Sequence, residues 1–285
     1  MQKIFLIANW KMQLNKSDSV RLAVEICKSA LVPKRTLVGE NIQVVICASD
    51  VYISDVARKI KGSKIKLGAQ NVFYHEKGSY TGEVSIIQLK ELAVEYVIIG
   101  HSERREYLHE TDEDVNRKVK IILDNNLIPI ICVGETMQER RDGKTDLVLI
   151  RQVSKALQDV KFQTDFSQGQ EKTSSKEGMN IKEGVKLIIA YEPVWVIGTG
   201  QAVYPKEASH VVEVIRYNLL ENFSEEIINN NINIIYGGSV DADNINSFLE
   251  ISLISGALVG GASLSADKFL NIMNKITNNQ ETITK

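Results

Sequence analysis

The first predicted strand, IFLIA (residues 4–8), runs directly into the segment NWKM (residues 9–12). A short apolar run of this kind is typical of a buried strand. An open sheet that binds a dinucleotide carries G-x-G-x-x-G after its first strand, and this chain has asparagine, tryptophan and lysine there. The segment therefore favours a closed barrel over an open, doubly wound sheet.

Outward from this strand, short apolar runs alternate with longer amphipathic stretches to the end of the chain. The runs are mostly apolar throughout, as expected for a parallel sheet whose faces are both covered. Polar and glycine-rich clusters follow most of them, and function spread over many strand ends is typical of the C-terminal face of a (β/α)8 barrel. We predict this α/β fold, a closed parallel sheet with outer helices, with strands at residues 4–8, 42–47, 65–69, 96–99, 128–133, 185–190, 232–236 and 256–259.

Helical patterns fill the gaps between the strands, most clearly at residues 17–30, 112–125 and 206–222. Thr111, followed by acidic residues, predicts the start of the second of these helices. Pro205 suits the first position of the third helix.

Composition excludes several classes of protein. With 285 residues, of which 44% are hydrophobic and 25% charged, the chain is neither disordered nor collagenous nor a coiled coil. Its 34 basic and 36 acidic residues give a net charge of −2, which offers no basic field to nucleic acid or anionic lipid. The N-terminal apolar run is too short for a signal peptide, and no stretch reaches the ~18 apolar residues of a membrane span. We expect a cytoplasmic protein that binds neither nucleic acid nor membrane.

The cysteines and histidines indicate neither a disulfide framework nor a metal site. Cys27, Cys47 and Cys132 are odd in number and far apart, so we expect them to be small core residues. The four histidines lack the spacing of metal ligands. We therefore predict no bound metal.

Residues 161–184 interrupt the regular alternation of predicted strands and helices. The segment carries eight charges that cancel in sign and only four large apolar residues, so we expect a polar surface excursion. It precedes the sixth predicted strand, and connections from helix to strand lie on the N-terminal, or bottom, rim of a barrel. A linker between two domains is the alternative, but neither flank completes a fold alone. We predict a single domain over residues 1–285.

The segment AYEPVWVIGTG (residues 190–200) carries the first candidate catalytic group. Glu192 ends an apolar strand, and the loop after it begins with rigid Pro193 and ends in flexible glycines. Apolar residues between these hinges indicate a lid that packs over a site. The alternative is a tight turn in which Glu192 caps the next helix. The predicted lid comprises Pro193, Val194, Trp195, Val196, Ile197, Gly198, Thr199 and Gly200.

A histidine follows the fourth predicted strand. Within IGHSERR (residues 99–105), His101 would point into the mouth of the barrel, although a lone histidine is more often a core or surface residue. Glu192 and Lys11 leave strands of the same rim, so a base, an imidazole and a cation would converge there. Glu103 is either a surface charge or a partner for a cation such as Lys11.

Paired glycines follow the last two predicted strands, in GGS (residues 237–239) and GG (residues 260–261). Such segments expose backbone N–H groups to an anion, and barrels often hold phosphate at this position. The alternative is that the glycines only permit tight turns. Two pairs after neighbouring strands favour a phosphorylated substrate.

The order of the motifs is itself informative. Each motif is weak to moderate alone, but nine in one order are specific and extend through almost the entire chain. Together they resemble the triosephosphate isomerase family, whose fold is the TIM barrel. The matching segments are residues 8–11, 69–72, 81–83, 99–105, 132–135, 190–195, 197–200, 236–239 and 258–264.

The resemblance implies a cofactor-free interconversion of dihydroxyacetone phosphate and D-glyceraldehyde 3-phosphate, in glycolysis and gluconeogenesis. Glu192 would be the base that moves a proton between neighbouring carbons, and His101 would stabilise charge at the carbonyl. Lys11 would supply positive charge, with Glu103 beside it, and Asn9 would orient the substrate oxygens. The other implied contacts are phosphate binding by the amides of Gly198, Ser239, Gly260 and Gly261, and hydrogen bonds from Tyr236 and Ser239 to the closed lid.

The resemblance also implies a homodimer, in which the loop at residues 73–85 enters a pocket of a second subunit and Thr81 lies near that subunit's active site. An exposed hairpin-like loop is the alternative. The chain departs from the family pattern at Val196, where alanine is common, at Tyr204, where a threonine or serine cap is usual, and at Met12. The segment 161–184 has no ordinary counterpart. None of these departures carries a proposed chemical group.

An aldolase and a non-catalytic binding protein are the two alternative functions. A phosphate-binding aldolase would need a buried lysine at a strand end, and Lys11 is accompanied by His101 and Glu192, as proton transfer requires. A non-catalytic barrel, with residues 161–184 as its partner site, would need a broken catalytic set. Since Asn9, Lys11, His101 and Glu192 are all present, the sequence favours an enzyme.

Overall fold

The computed structural model describes residues 3–30, 41–162, 179–181, 186–196 and 202–283. The strands in this part of the chain are β1 (Ile4–Asn9), β2 (Ile42–Ala48), β3 (Lys66–Ala69), β4 (Val94–Ile99), β5 (Ile128–Val133), β6 (Val160–Phe162), β7 (Met179–Ile181), β8 (Leu187–Tyr191), β9 (Ile232–Tyr236) and β10 (Ile254–Val259). The helices are α1 (Lys16–Ala30), α2 (Ile53–Ile60), α3 (Ile86–Glu91), α4 (Ser102–Leu108), α5 (Asp112–Asp124), α6 (Met137–Arg141), α7 (Thr145–Ala156), α8 (Pro205–Leu220), α9 (Glu225–Asn231), α10 (Ile245–Leu249) and α11 (Ala266–Ile283).

Eight of these strands form a closed parallel barrel in the order β1-β10-β9-β8-β5-β4-β3-β2, and helices surround it. The predicted (β/α)8 fold is therefore confirmed. The fifth and seventh barrel strands, β5 and β9, have the predicted bounds. The other six differ from the predicted bounds by one or two residues at one or both ends: β1 and β2 end one residue later, β3 begins one residue later, β4 and β10 begin two residues earlier, and β8 begins two residues later and ends one residue later. None of the helices in the described ranges is long and apolar enough to cross a membrane.

Alternation along each barrel strand divides the core into an inner and an outer layer. In β1, Phe5 and Ile7 belong to the cluster inside the barrel, whereas Leu6 and Ala8 pack against the helices. Both layers need apolar side chains, which explains why the strand sequences are apolar throughout. The three cysteines are buried in these layers, as predicted: Cys47 and Cys132 lie inside the barrel, and Cys27 lies in the outer layer.

The segment at residues 161–184 includes short strands that the sequence did not predict. Val160–Phe162 and Met179–Ile181 form a separate two-stranded parallel sheet, and Phe162 packs edge-on against Phe223 at 5.4 Å between ring centroids. A three-residue strand is too short to produce a periodic signal in a polar segment. Residues 163–178 and 182–185 lie outside the described residues.

Two predicted helix starts are confirmed. The Thr111 hydroxyl accepts a hydrogen bond from the Asp114 N–H at 3.1 Å, and Asp114 bonds back to Thr111 in a capping box. Pro205 is the first residue of α8. The residue before it, Tyr204, has the extended backbone of a helix cap but makes no side-chain capping bond, and its side chain is exposed.

Replacement of Tyr204 with threonine is expected to raise the free energy of unfolding by about 1 kcal/mol, because a short hydroxyl can accept from an unpaired N–H in the first turn of α8. Equilibrium denaturation in urea would measure the change. Tyr204→Val is the matched control, since valine has the shape of threonine without its oxygen. Equal stability of the threonine and valine variants would contradict the prediction.

Candidate active site

A cavity of about 810 Å³ opens at the C-terminal ends of the barrel strands. The polar strand-end residues that the sequence singled out converge on it from five strands. Between them lie an imidazole, two carboxylates, an ammonium group and glycine-rich backbone. The predicted site residues that line this cavity are Asn9, Lys11, His101, Glu103, Glu192, Val194, Ser239, Gly260 and Gly261.

Glu192 follows β8 directly, and its backbone N–H donates to the Val133 carbonyl at 2.7 Å. Its side chain is buried, and each carboxylate oxygen has a polar neighbour. Oε2 accepts from the Ser102 N–H at 3.1 Å, and Oε1 lies 3.2 Å from His101 Nε2. The carboxylate is therefore held at the cavity wall by a hydrogen bond from the Ser102 N–H and a close contact with His101. This agrees with a base, and the alternative role as a helix cap for α8 is not observed.

His101 is the N-cap of α4, and its ring has a defined orientation. Nδ1 accepts a hydrogen bond from the Glu103 backbone N–H at 3.2 Å. A ring nitrogen that accepts a hydrogen bond carries no proton, so the geometry assigns the proton to Nε2. Nε2 faces the Glu192 carboxylate and the cavity, where it can donate to a substrate oxygen.

Lys11 reaches the cavity from the opposite side of the barrel. Its Nζ donates to Glu103 Oε1 at 2.6 Å, so the cation is paired while it lines the cavity. Its backbone has a φ of 50°, a left-handed conformation that is costly for lysine. Two bonds hold this turn: the Lys11 N–H donates to Asn9 Oδ1 at 3.0 Å, and Gln70 Nε2 donates to the Lys11 carbonyl at 2.9 Å.

The glycines at the strand ends differ in how much room they leave for neighbouring side chains. A Cβ atom on Gly237 would lie 2.9 Å from the Glu192 Cγ, which is too close for any larger residue. A Cβ atom on Gly260 would lie 3.5 Å from the Lys11 Cε, which is an ordinary contact distance, so the Lys11 side chain does not require glycine at this position. Gly261 faces open space, so its backbone is accessible from the cavity.

The described part of the predicted lid is packed against the barrel. Val194–Val196 form a 3₁₀ turn, and the Trp195 indole N–H donates to Glu135 Oε1 at 2.9 Å. The Arg140 guanidinium lies over the Trp195 ring at 4.2 Å. Burial raises the pKa of Glu135, while its hydrogen bond from Trp195 acts in the opposite direction. The predicted lid residues Ile197, Gly198, Thr199 and Gly200, with the phosphate-binding role of Gly198, lie outside the described residues.

Tyr236, predicted to bond the closed lid, contacts Val203, which follows the lid in the sequence. Its hydroxyl accepts from the Val203 N–H at 3.3 Å, and its ring stacks on Phe248 with 3.9 Å between centroids. Burial raises the pKa of this hydroxyl to about 12, so it remains a donor as well. Thr81 is exposed in the loop at residues 73–85 and does not line this chain's cavity.

Three contributors to the site were not predicted to be site residues. Ser102 supplies a backbone N–H to Glu192, and Glu135 holds Trp195. Cys132 lies inside the barrel beside Glu192, where burial first and the Glu192 charge second raise the pKa of its thiol. The signals for them were their positions, in the last residues of a strand or within three residues after one, and their place in the motif segments 99–105 and 132–135.

Among the described residues, no group of three or more histidine, cysteine, aspartate or glutamate side chains could hold a metal ion. The predicted site residues in the described lining supply the Glu192 and Glu103 carboxylates, the His101 imidazole, the Lys11 ammonium group and glycine-rich backbone. This set can move a proton next to a carbonyl and stabilise the oxyanion that results.

Comparison with known proteins agrees with this chemistry. The family model for triosephosphate isomerase matches residues 4–276. The triosephosphate isomerase of Caldanaerobacter subterraneus subsp. tengcongensis is 43% identical over 274 residues, which cover 96% of this chain and 100% of that protein. Those of Thermoanaerobacter pseudethanolicus and Clostridium tetani are 40% and 39% identical over 96% of this chain, and over 100% and 97% of their own lengths. The chain belongs to the triosephosphate isomerase family.

Proposed function

We propose that this protein is a triosephosphate isomerase, which interconverts dihydroxyacetone phosphate and D-glyceraldehyde 3-phosphate through an enediolate. The observation that carries the proposal is the pairing of a buried carboxylate, Glu192, with the proton-bearing Nε2 of His101 at 3.2 Å on the wall of one cavity. A base and a neutral donor side by side suit removal of a proton next to a carbonyl.

Glu192 is the proposed base. A substrate carbonyl in the cavity would accept the Nε2–H of His101 and release Glu192 Oε1 from that contact. Oε1 would then take a proton from the carbon beside the carbonyl, which leaves a protonated carboxyl group and an enediolate. The hydroxyl proton of the enediolate must also pass from one oxygen to the other, and His101 Nε2 can carry out this transfer by donating its proton to the former carbonyl oxygen and taking the proton of the neighbouring hydroxyl. Return of the carbon proton from Glu192 to the neighbouring carbon then completes the isomerisation and regenerates the carboxylate and the neutral imidazole, with no net gain or loss of protons. No redox or metal cofactor takes part in this proposed sequence.

Lys11 and the glycine-rich strand ends are the proposed phosphate and oxyanion site. Lys11 supplies positive charge, and the side chain of Asn9 supports the Lys11 turn. The backbone amides of Ser239, Gly260 and Gly261 are the proposed phosphate donors, together with Gly198. Binding energy from the phosphate, which does not react, can hold the reacting carbons against Glu192. A Schiff-base lysine is less well supported, because the candidate amine is paired with Glu103 at 2.6 Å.

The wild-type protein tests the proposal directly. We expect isomerisation of D-glyceraldehyde 3-phosphate in an assay coupled to the reduction of dihydroxyacetone phosphate, in the presence of a metal chelator. No activity in the folded wild-type protein would contradict the proposed function.

We also propose a homodimer in the cytoplasm, in which the loop at residues 73–85 and Thr81 contact the second subunit. Within that loop Phe73, Tyr74, His75 and Tyr80 form one aromatic cluster, with His75 stacked on Tyr80 at 4.9 Å. An aromatic cluster on an exposed loop is typical of an interface. Sedimentation equilibrium would show the oligomeric state.

Residues 161–184 are proposed to be an insertion on the bottom rim of a single domain over residues 1–285. Deletion of residues 163–182 is expected to leave kcat within about 2-fold of wild type, because no described residue of β6 or β7 lines the cavity. The deletion includes β7, because removing only residues 163–178 would join two parallel strands without the long crossover that they need. A large fall in kcat at unchanged dimer content would contradict the proposed position.

A further inference from the structure

A buried glutamine on an outer helix contacts the backbone that lies against Glu192. Gln152 lies in α7, and only 4% of its surface is exposed. A buried amide is costly unless both its donor and its acceptor have partners. Gln152 therefore needs polar partners in the barrel wall, although its neighbours on this helix face are apolar: Val148, Leu149, Val153 and Ala156.

Both partners belong to one residue, Gly134. The Gly134 N–H donates to Gln152 Oε1 at 2.8 Å, and Gln152 Nε2 donates to the Gly134 carbonyl at 3.2 Å. Gly134 follows β5, whose pairing with β8 ends at Val133 and Tyr191. The glutamine side chain thus pairs with Gly134 as a neighbouring strand pairs with a residue inside a sheet.

Gly134 is in direct backbone contact with Glu192. A Cβ atom on Gly134 would lie 1.7 Å from the Glu192 carbonyl oxygen and 2.6 Å from its carbonyl carbon. On either side of this contact, the Glu192 N–H donates to Val133 at 2.7 Å and the Val194 N–H donates to Glu135 at 3.2 Å. A displacement of Gly134 would therefore move the backbone that carries Glu192 and the start of the lid.

We propose that Gln152 is a positioning residue for the catalytic base, which it holds in place through Gly134. The inference rests on the proposed isomerase function. Neither Gln152 nor Gly134 lines the cavity, so the effect passes through the Glu192 backbone and not through a substrate contact. Proton abstraction is sensitive to such support, because a misplacement of ~1 Å can lower a rate about 10²-fold.

The first test is Gln152→Leu, which keeps the approximate size of the side chain and removes both hydrogen bonds. We expect kcat to fall about 10-fold or more, with KM within about 3-fold of wild type, because the base is misaligned while the phosphate contacts remain. Asn218→Leu is the matched control. Asn218 is also 4% exposed, lies on the neighbouring helix α8 and donates to Ser154 Oγ at 2.9 Å. We expect Asn218→Leu to leave kcat unchanged in the folded enzyme.

The second test is Gln152→Glu. If Gln152 positions the base, the activity of this variant depends on pH, and if Gln152 is only structural, it does not. A neutral carboxylic acid can accept from the Gly134 N–H and donate to its carbonyl, as the amide does, whereas an ionised carboxylate cannot donate. Burial raises the pKa of a carboxyl group, so the change falls within the range in which the enzyme can be assayed. We expect the ratio of variant to wild-type kcat to rise at least about 3-fold as the pH is lowered from about 8.5 to 6.

Three results would each overturn the positioning role: wild-type kcat in Gln152→Leu, an equal loss in Asn218→Leu, or a pH-independent ratio for Gln152→Glu. Circular dichroism at both pH values checks that each variant is folded. If Gln152→Leu does not fold, the pH dependence of Gln152→Glu decides the question alone. An inactive wild-type protein would contradict the proposed function instead, so the two failures are distinguishable.

Discussion

Replacement of Glu192 with aspartate is expected to lower kcat by about 10²-fold or more. The carboxylate reaches its two polar neighbours, the Ser102 N–H at 3.1 Å and His101 Nε2 at 3.2 Å, only with the full length of the glutamate side chain. Aspartate is one methylene shorter and withdraws the base from a substrate carbon placed beside His101. The coupled isomerase assay measures the loss as kcat, and KM should change much less because phosphate contacts remain.

Two further variants separate reach from basicity. Glu192→Gln keeps the length and removes the base, so it should lose more activity than the aspartate variant, since general-base catalysis contributes about 10²–10⁴-fold. Glu213→Asp shortens an exposed glutamate of α8 that contacts only Ser209 among the described hydrogen bonds, and it should behave as wild type. A Glu192→Asp enzyme with wild-type kcat would show that another group is the base.

The convergence of the site residues on one cavity was predictable because, in a barrel, the end of every parallel strand lies on the same rim. Lys11, His101 and Glu192 are far apart in sequence, yet each follows the end of a parallel strand. Closure of the sheet brings all strand ends of one polarity to the same face. A strand count and a strand-end residue therefore suffice to place a side chain near the cavity, even when the strand bounds are wrong by two residues.

Contacts that depend on how helices pack against the barrel were not predictable in the same way. Glu135 was visible as a polar residue after β5, but its bond to Trp195 depends on the path of the lid. Gln152 is one of several polar residues in the amphipathic helix α7, and most polar residues of such a helix face solvent. Its contact with Gly134 depends on the rotation of α7 about its axis, which the periodicity of the sequence determines only to within a residue.

Replacement of Lys11 with methionine is expected to lower kcat/KM about 10²–10³-fold, the loss typical of removing one group that stabilises transition-state charge. Methionine has nearly the length of lysine but no charge, so the cavity loses a cation at the position where phosphate and the developing oxyanion are proposed to bind. The fold should survive, because the Glu103 carboxylate that loses its partner is 42% exposed and remains hydrated.

Ionic strength gives an independent measure of the same charge. The wild-type kcat/KM should decline as salt is added, since screening weakens attraction of an anionic substrate, and the Lys11→Met enzyme should respond less. Lys16→Met is the matched control, because Lys16 pairs with Asp55 outside the cavity and is mostly exposed. That control should keep the rate of wild type. If Lys11 only bound phosphate, KM would rise while kcat stayed unchanged, and its proposed part in stabilising the enediolate would be wrong.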